Sequence, residues 1–368
     1  MQNSMTFLTP PVCLRNLTIA LTVLMASGCA DMGYLLQSGK GHMAIVQAAR
    51  PVDEWLADDA TPETLKQRLQ LAQELRRYAA ETLKLPDNAS YTRYAALQRR
   101  AVVWNVVAAP AYALKPKTWC FPVTGCVSYR GYFNEEGAQE QATTLRQQGW
   151  EVFIVPVPAY STLGWTNWLG GDPLLSTFIH YPQGELARMI FHELAHQVLY
   201  VQDDTAFNES FATAIERLGS AAWLAPPQRA AARQEYLGFE MRRQAFRALA
   251  ATTRKRLMSI YGTGDDTVSP TPQMEAAKAA AYADFRAAHA QLKERWGGYD
   301  RNDLWVANAN NAAFAALAAY DDWVDAFETL FAQQNSDWPA FYAAANALAR
   351  LPREERTRQL EKLQGARP

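Results

Sequence analysis

Phe191-His192-Glu193-Leu194-Ala195-His196-Gln197 is the stretch on which the reading of this 368-residue chain turns. Two histidines stand four apart, and a glutamate directly follows the first. Leu186, Met189, Ile190, Leu194, Val198 and Leu199 recur around them at helical spacing, which predicts a helix with an apolar stripe. Tyr181-Pro182 supplies a natural start for it. Residues i and i+4 lie one above the other on a helix face. Both imidazoles can therefore serve one cation, with Glu193 beside it. The chain has only five histidines, and this pairing of two of them points to metal-assisted hydrolysis.

A catalytic zinc ion takes three protein ligands and keeps one position for water. Beyond His196 the helical pattern runs out at Tyr200-Val201, and Gln202-Asp203-Asp204-Thr205 carries turn and N-cap chemistry. A second helix is predicted from Ala206 to Glu216, with Phe207, Phe211, Ala214, Ile215 and Leu218 as its buried stripe. If the two helices form a hairpin, Glu209 points back at the histidines. Asp203, Asp204 and Glu216 are the alternatives. A short turn favours Glu209, one turn into the returning helix, and casts Glu216 as the partner that orients a ligand or closes an ion pair. Two histidines and one glutamate in this order are the zincin arrangement.

Here the chain resembles a family of bacterial zinc aminopeptidases related to the gluzincins. The resemblance rests on Tyr181 to Glu216, on Lys117 to Pro122, on Gly125 to Tyr132, and on Ala159 to Trp165. Asp172 to Phe178 and Asn310-Asn311-Ala312 extend it, so that it covers about residues 29 to 350. It implies a zinc peptidase acting on peptide substrates, with His192, His196 and Glu209 as metal ligands and Glu193 as general base. Related gluzincins also take an oxyanion donor from their C-terminal helices. Tyr320 is the first candidate for that role here and Tyr261 the second, while His180 and His289 lack supporting spacing. The Gly-x-Met-Glu-Asn segment that reads a free amino terminus in gluzincin aminopeptidases is absent from the chain. Metallopeptidase therefore stands on more residues than aminopeptidase. Substrate is expected to add as a strand along Tyr160 to Trp165, with Trp165 and Trp168 shaping a side-chain pocket or covering the core.

At the amino terminus, Arg15 precedes the apolar run Leu17 to Met25, too short for a permanent membrane helix. The run ends in Ala26-Ser27-Gly28-Cys29, which resembles a bacterial lipobox with cleavage before Cys29 and lipid on its thiol; an ordinary secretion signal is the alternative. Ala30 after the cysteine favours the outer membrane over the inner. These features predict an envelope protein, lipid-anchored and facing the periplasm. Cys120 and Cys126 flank the turn-forming Phe121-Pro122-Val123-Thr124-Gly125, and an oxidising periplasm permits a disulfide between them.

The net charge is −1 with both signs interspersed, so no footprint for nucleic acid exists. The expected fold is mainly helical α+β, with a zincin-like core, a small sheet over the active-site helix, and a C-terminal helical region. The expected divisions are a signal peptide at 1–28, a helical region at 29–100, the catalytic domain at 101–220 and the C-terminal helices at 221–368. Strands are predicted near 102–107, 119–123, 127–133 and 152–157, with a helix near 134–148. Later helices are predicted near 227–261, 273–294, 308–332 and 336–350, with a frayed tail from Arg350. Three function classes follow: a lipid-anchored zinc peptidase, exo- or endo-acting; another envelope zinc hydrolase; or a non-catalytic binding lipoprotein. Glu193 argues against the last, because a structural site does not need an acid beside the water.

Overall fold

A computed structural model describes residues 33–121, 125–159, 162, 170–262, 270–318 and 323–366. Cys29, Tyr160, Trp165, Trp168 and Tyr320 lie outside the described residues. The chain divides into two compact units, Met1–Ala44 and Ile45–Pro368. Of the first, residues 33–44 are described and are helical, within a helix α1 that covers 33–48.

The second unit is mainly helical α+β. After β1 (Ala49–Pro51) come α2 (Val52–Ala57) and α3 (Glu63–Glu81). Leu69, Ala72, Leu75 and Ala79 are buried on α3 at steps of three and four, the spacing that turns one helix face to a core. β2 (Arg93–Ala95) then pairs antiparallel with β1 and parallel with β8 (Leu174–Leu175).

The other three-stranded sheet has β3 (Val103–Ala109) at its centre, between β6 (Arg130–Tyr132) and β7 (Glu151–Val157), all antiparallel. Of the residues of β3 only Asn105 is not buried, as a strand covered on both faces requires. The covers are α4 (Glu135–Gln147) and α10 (Asn311–Ala318). The Asn134 side chain caps α4 by accepting from Gly137 N.

Leu175 leads through a turn into α5 (Gln183–Ala195), which is followed by α6 (Thr205–Leu224). α5 packs on α3, α6 and α7 (Ala230–Tyr261). Leu186, Ala187, Ile190, Phe191, Leu194 and Ala195 are buried on α5. Gly219 allows the close crossing of α6, because a Cβ there would lie 2.7 Å from Leu83 and 3.0 Å from Phe191. Phe207 and Phe211 of α6 pack edge-on against Phe327 of α11 (Val324–Gln333), and Phe211 stacks on Phe341 of α12 (Trp338–Ala349). A separate apolar cluster joins α7, α8 (Pro272–Arg295), α9 (Asp303–Ala307) and α10 through Phe246, Phe285, Val306 and Phe314.

Four local expectations change. The helical region expected at 29–100 is not helical throughout: its described residues include β1, β2 and an irregular segment between α3 and β2. The predicted strand at 127–133 is two short ones, β5 (Gly125–Val127), paired with β4 (Trp119–Phe121), and β6. The helix predicted near 308–332 is described as α10 and α11, and 319–322 lie outside the described residues. The tail is not frayed. It forms α13 (Arg353–Gly365), with Arg356 and Leu360 buried. Asp204 and the core supply the partners that the local sequence lacks.

Candidate metal centre

The centre is built on the α5–α6 hairpin. α5 stops at His196, and the Asn208 side chain then ties the turn through both backbone polar groups of one residue, accepting from Val201 N at 2.8 Å and donating to Val201 O at 2.7 Å. Asp203 holds the left-handed φ of 62° that aspartate tolerates better than most residues. Its side chain accepts from Cys126 N at 2.6 Å, which seats the β4–β5 hairpin on this turn; that hairpin is closed by a Cys120–Cys126 disulfide. Asp204 caps α6 by accepting from Phe207 N. Asp203 and Asp204 are thus engaged with backbone and are not part of the centre.

The hairpin brings His192, His196 and Glu209 together, with one donor atom from each lying within 4.8 Å of the others. His192 Nε2 is 3.2 Å from His196 Nε2 and 3.3 Å from Glu209 Oε2, and His196 Nε2 is 3.8 Å from the same oxygen. Three ligands of a tetrahedral ion at about 2.0–2.1 Å stand roughly 3.4 Å apart, so this triangle fits a zinc-sized cation. The donor chemistry fits as well, since imidazole nitrogen and carboxylate oxygen are both common zinc donors. Glu216 lies on the far side of His192, its Oε2 2.9 Å from Nδ1 in a bent contact. That contact leaves Nε2 facing the triangle.

The electrostatics follow from this packing. Burial opposes a charge on His192, but hydrogen bonds to Glu209 and Glu216 outweigh it and push the ring up to about 10. Burial and the neighbouring His192 bring His196 down to about 4, against the pull of Glu209. Burial raises Glu193 to about 7 against the opposing effect of His192, with Glu209, Asp172 and Glu216 adding to the rise. Glu216 stays well below the usual carboxylate range because Arg188 and His192 overcome its burial.

Several residues around Glu193 carry no short-range signal in the sequence. Tyr91 is buried with φ 65°, rare for an aromatic residue. Tyr91 N donates to Asp172 O at 2.7 Å, and Tyr91 O accepts from Gln73 Nε2 at 2.7 Å. Burial and the charges of Glu193 and Asp172 raise its hydroxyl well above 10, so it stays protonated beside Glu193. Gly171, at φ 67°, lets the backbones meet here: a Cβ would lie 2.5 Å from Ser90 N. Gln197, directly after His196, accepts from Asn88 at 2.7 Å and donates to Ser90 at 3.1 Å. The positive φ of Tyr91 could not be read from its neighbours in sequence.

Tyr320 lies outside the described residues, and the other remaining candidates have partners elsewhere or lie on the surface. Tyr261 belongs to the α7–α10 cluster, where its hydroxyl donates to Asn311 Oδ1 at 2.9 Å. Asn311 also accepts from Tyr282 at 2.7 Å and donates to Pro110 O and Ala111 O, so the Asn310-Asn311 pair anchors helices. His289 is buried against Phe246 and Trp296, and His180 is exposed on a turn.

The chain is a mainly helical α+β protein whose α5–α6 hairpin gathers two imidazoles and a carboxylate within reach of one another. The chain is a member of the family described as "Putative aminopeptidase", whose pattern matches residues 33–360. That membership supports a peptidase-like function and peptide substrates. Comparison with curated proteins and with solved structures gives no match.

Proposed function

We propose that the protein is a zinc-dependent peptidase of the aminopeptidase type, with His192, His196 and Glu209 holding the metal and Glu193 as general base. The observation that carries it is the triangle of Nε2, Nε2 and Oε2 with edges of 3.2, 3.3 and 3.8 Å, in a chain of an aminopeptidase family. When bound, zinc supplies Lewis acidity and a water made acidic near neutral pH. Glu193, adjacent to His192 in the chain, would act as the general base, accepting a proton from the attacking water and passing it to the leaving amine. The hydrophobic packing of α5 keeps these groups in fixed relation, and Glu216 orients His192.

We place the protein at the cell envelope, tethered by lipid on Cys29 and facing the periplasm. The lipobox-like Ala26-Ser27-Gly28-Cys29 and the short apolar run before it support this. No described helix is long and apolar enough to cross a membrane. Cys29→Ser should abolish lipid on the mature first residue; parent protein purified without lipid there removes the tether from the proposal.

The decisive experiment pairs a metal assay with hydrolysis of peptides carrying free or blocked amino termini. One zinc per chain with cleavage confined to free amino termini is the expected result. Cleavage of blocked peptides makes the protein an endopeptidase, which the missing Gly-x-Met-Glu-Asn segment would accommodate. Absence of both metal and cleavage sinks the reading and leaves a binding role.

A further inference from the structure

Glu185, Arg188 and His192 lie on one face of α5, at spacings of three and four residues. Glu185 and Glu216 are 3% and 4% exposed, and a buried carboxylate needs a partner. Each has one. Glu216 spans two groups, Oε2 at His192 Nδ1 (2.9 Å) and Oε1 accepting from Arg188 Nη1 (2.7 Å). Glu185 accepts from Arg243 Nη2 with both oxygens, at 2.7 Å each. Arg188 Nε also lies 3.6 Å from Glu185 Oε2, so Arg188 is shared between the two carboxylates and sits nearer Glu216. Arg243, on α7, further pairs with Glu240.

This arrangement has a consequence for the ring. His192 presents Nε2 correctly only while Glu216 keeps its place, and Glu216 keeps its place because Arg188 holds its second oxygen. Arg188 is available for that only while Arg243 satisfies Glu185. Without Arg243, the buried Glu185 would draw the Arg188 guanidinium to itself and release Glu216. We infer that Arg243 is a positioning residue for His192, acting through Glu185, Arg188 and Glu216. The helix α7, outside the ligand hairpin, is then part of what orients the metal site. The inference rests on the reading of His192 as a ligand only for its effect on metal. The effect on the ring stands independently.

The test separates this role from plain stability. Arg243→Gln should stay folded by circular dichroism yet bind zinc about 10–100-fold more weakly in competition with a chelator, the usual cost of losing a group that orients a ligand. Arg243→Lys, which keeps the charge but not the forked donor geometry, should lose less and carries the test if the glutamine variant does not fold. Glu185→Gln/Arg243→Gln is the critical variant. With both charges gone, Arg188 returns to Glu216, and zinc affinity should recover toward the parent value. A second readout needs no metal: the Nδ1 proton of His192, followed by NMR on protein with 15N-labelled histidine. It should be protected from exchange in the parent, lose protection in Arg243→Gln, and regain it in the double variant. Unchanged affinity and an unchanged Nδ1 signal in Arg243→Gln, or a double variant no better than the single one, overturns the inference. A parent that binds no zinc while the Nδ1 signal responds as described refutes the metal reading and upholds the positioning.

Discussion

Arg356 of the last helix donates Nη2 and Nε to one oxygen of Asp204, at 2.6 and 3.0 Å, across 152 residues of sequence. The other Asp204 oxygen accepts from Phe207 N and caps α6. The C-terminal helix thereby braces the start of the helix that carries Glu209. Asp204→Ala should lose the cap, about 1 kcal/mol, and leave a buried guanidinium without its carboxylate, a change that typically costs about 3–5 kcal/mol. Urea denaturation should show a combined loss near the lower end of that range, because Arg356 keeps its bonds to Ala349 O and Leu351 O. Asp204→Ala/Arg356→Met should be more stable than Asp204→Ala alone. A single variant that loses no more than the about 1 kcal/mol of the cap would show that the brace contributes nothing beyond it.

That brace also shows where reading from sequence stops. The hairpin around His192 is legible because its period is local: apolar residues on α5 and α6 repeat at helical steps, and a short turn carrying Asp204 joins them. The same reasoning brings Glu209 to the histidines and leaves Glu216 behind His192, as the structure has them. Arg356 reads as a frayed end because charged residues near a terminus usually are, and its partner is 152 residues away. Arg188 and Glu185 stand on the apolar flank of α5 at helical spacing and could be picked out as buried charges. Arg243 could not, since nothing near it in sequence announces Glu185.

Metal affinity tests the proposed third ligand. Glu209→Ala removes one of three donors, so zinc affinity, measured by chelator competition, should fall far more than the 10–100-fold expected for an orienting group. Glu216→Gln should fall only within that range, since Glu216 touches His192 Nδ1 and not the donor triangle. Equal affinity for Glu209→Ala and the parent would assign the third ligand elsewhere.

His289 predicts a pH dependence of stability that can be tested away from the metal centre. The ring is 4% exposed, lies between Phe246 and Trp296, and its Nε2 has no hydrogen-bond partner among the described residues. Burial lowers its pKa from 6.5, Asp303 opposing and Lys293 adding to the shift. The unfolded chain therefore binds a proton at a higher pH than the folded one. Stability from this group is fully present above about pH 6.5 and declines as pH falls toward the folded-state value, by up to roughly 1.4 kcal/mol per unit. In paired denaturation series at pH 7.5 and 5.5, His289→Leu should lose less stability on acidification than the parent. Identical losses would mean that His289 does not titrate on unfolding.

The last prediction separates catalysis from metal holding. Glu193→Gln keeps the size of the side chain and its capacity to hydrogen bond, but an amide cannot accept a proton from water at neutral pH. Glu193 is not one of the three atoms that form the triangle, so zinc occupancy should match that of the parent. Loss of a general base removes about 10²–10⁴-fold of rate, and peptide hydrolysis should fall by at least the lower figure. KM should change little, because proton transfer occurs in the transition state and not in substrate binding. Rate and metal lost together would mean that Glu193 supports the site's structure. An unchanged rate would mean that another group takes the proton, and the protonated Tyr91 beside Glu193 could not be that group, since a phenol held far above pH 10 is an acid and not a base.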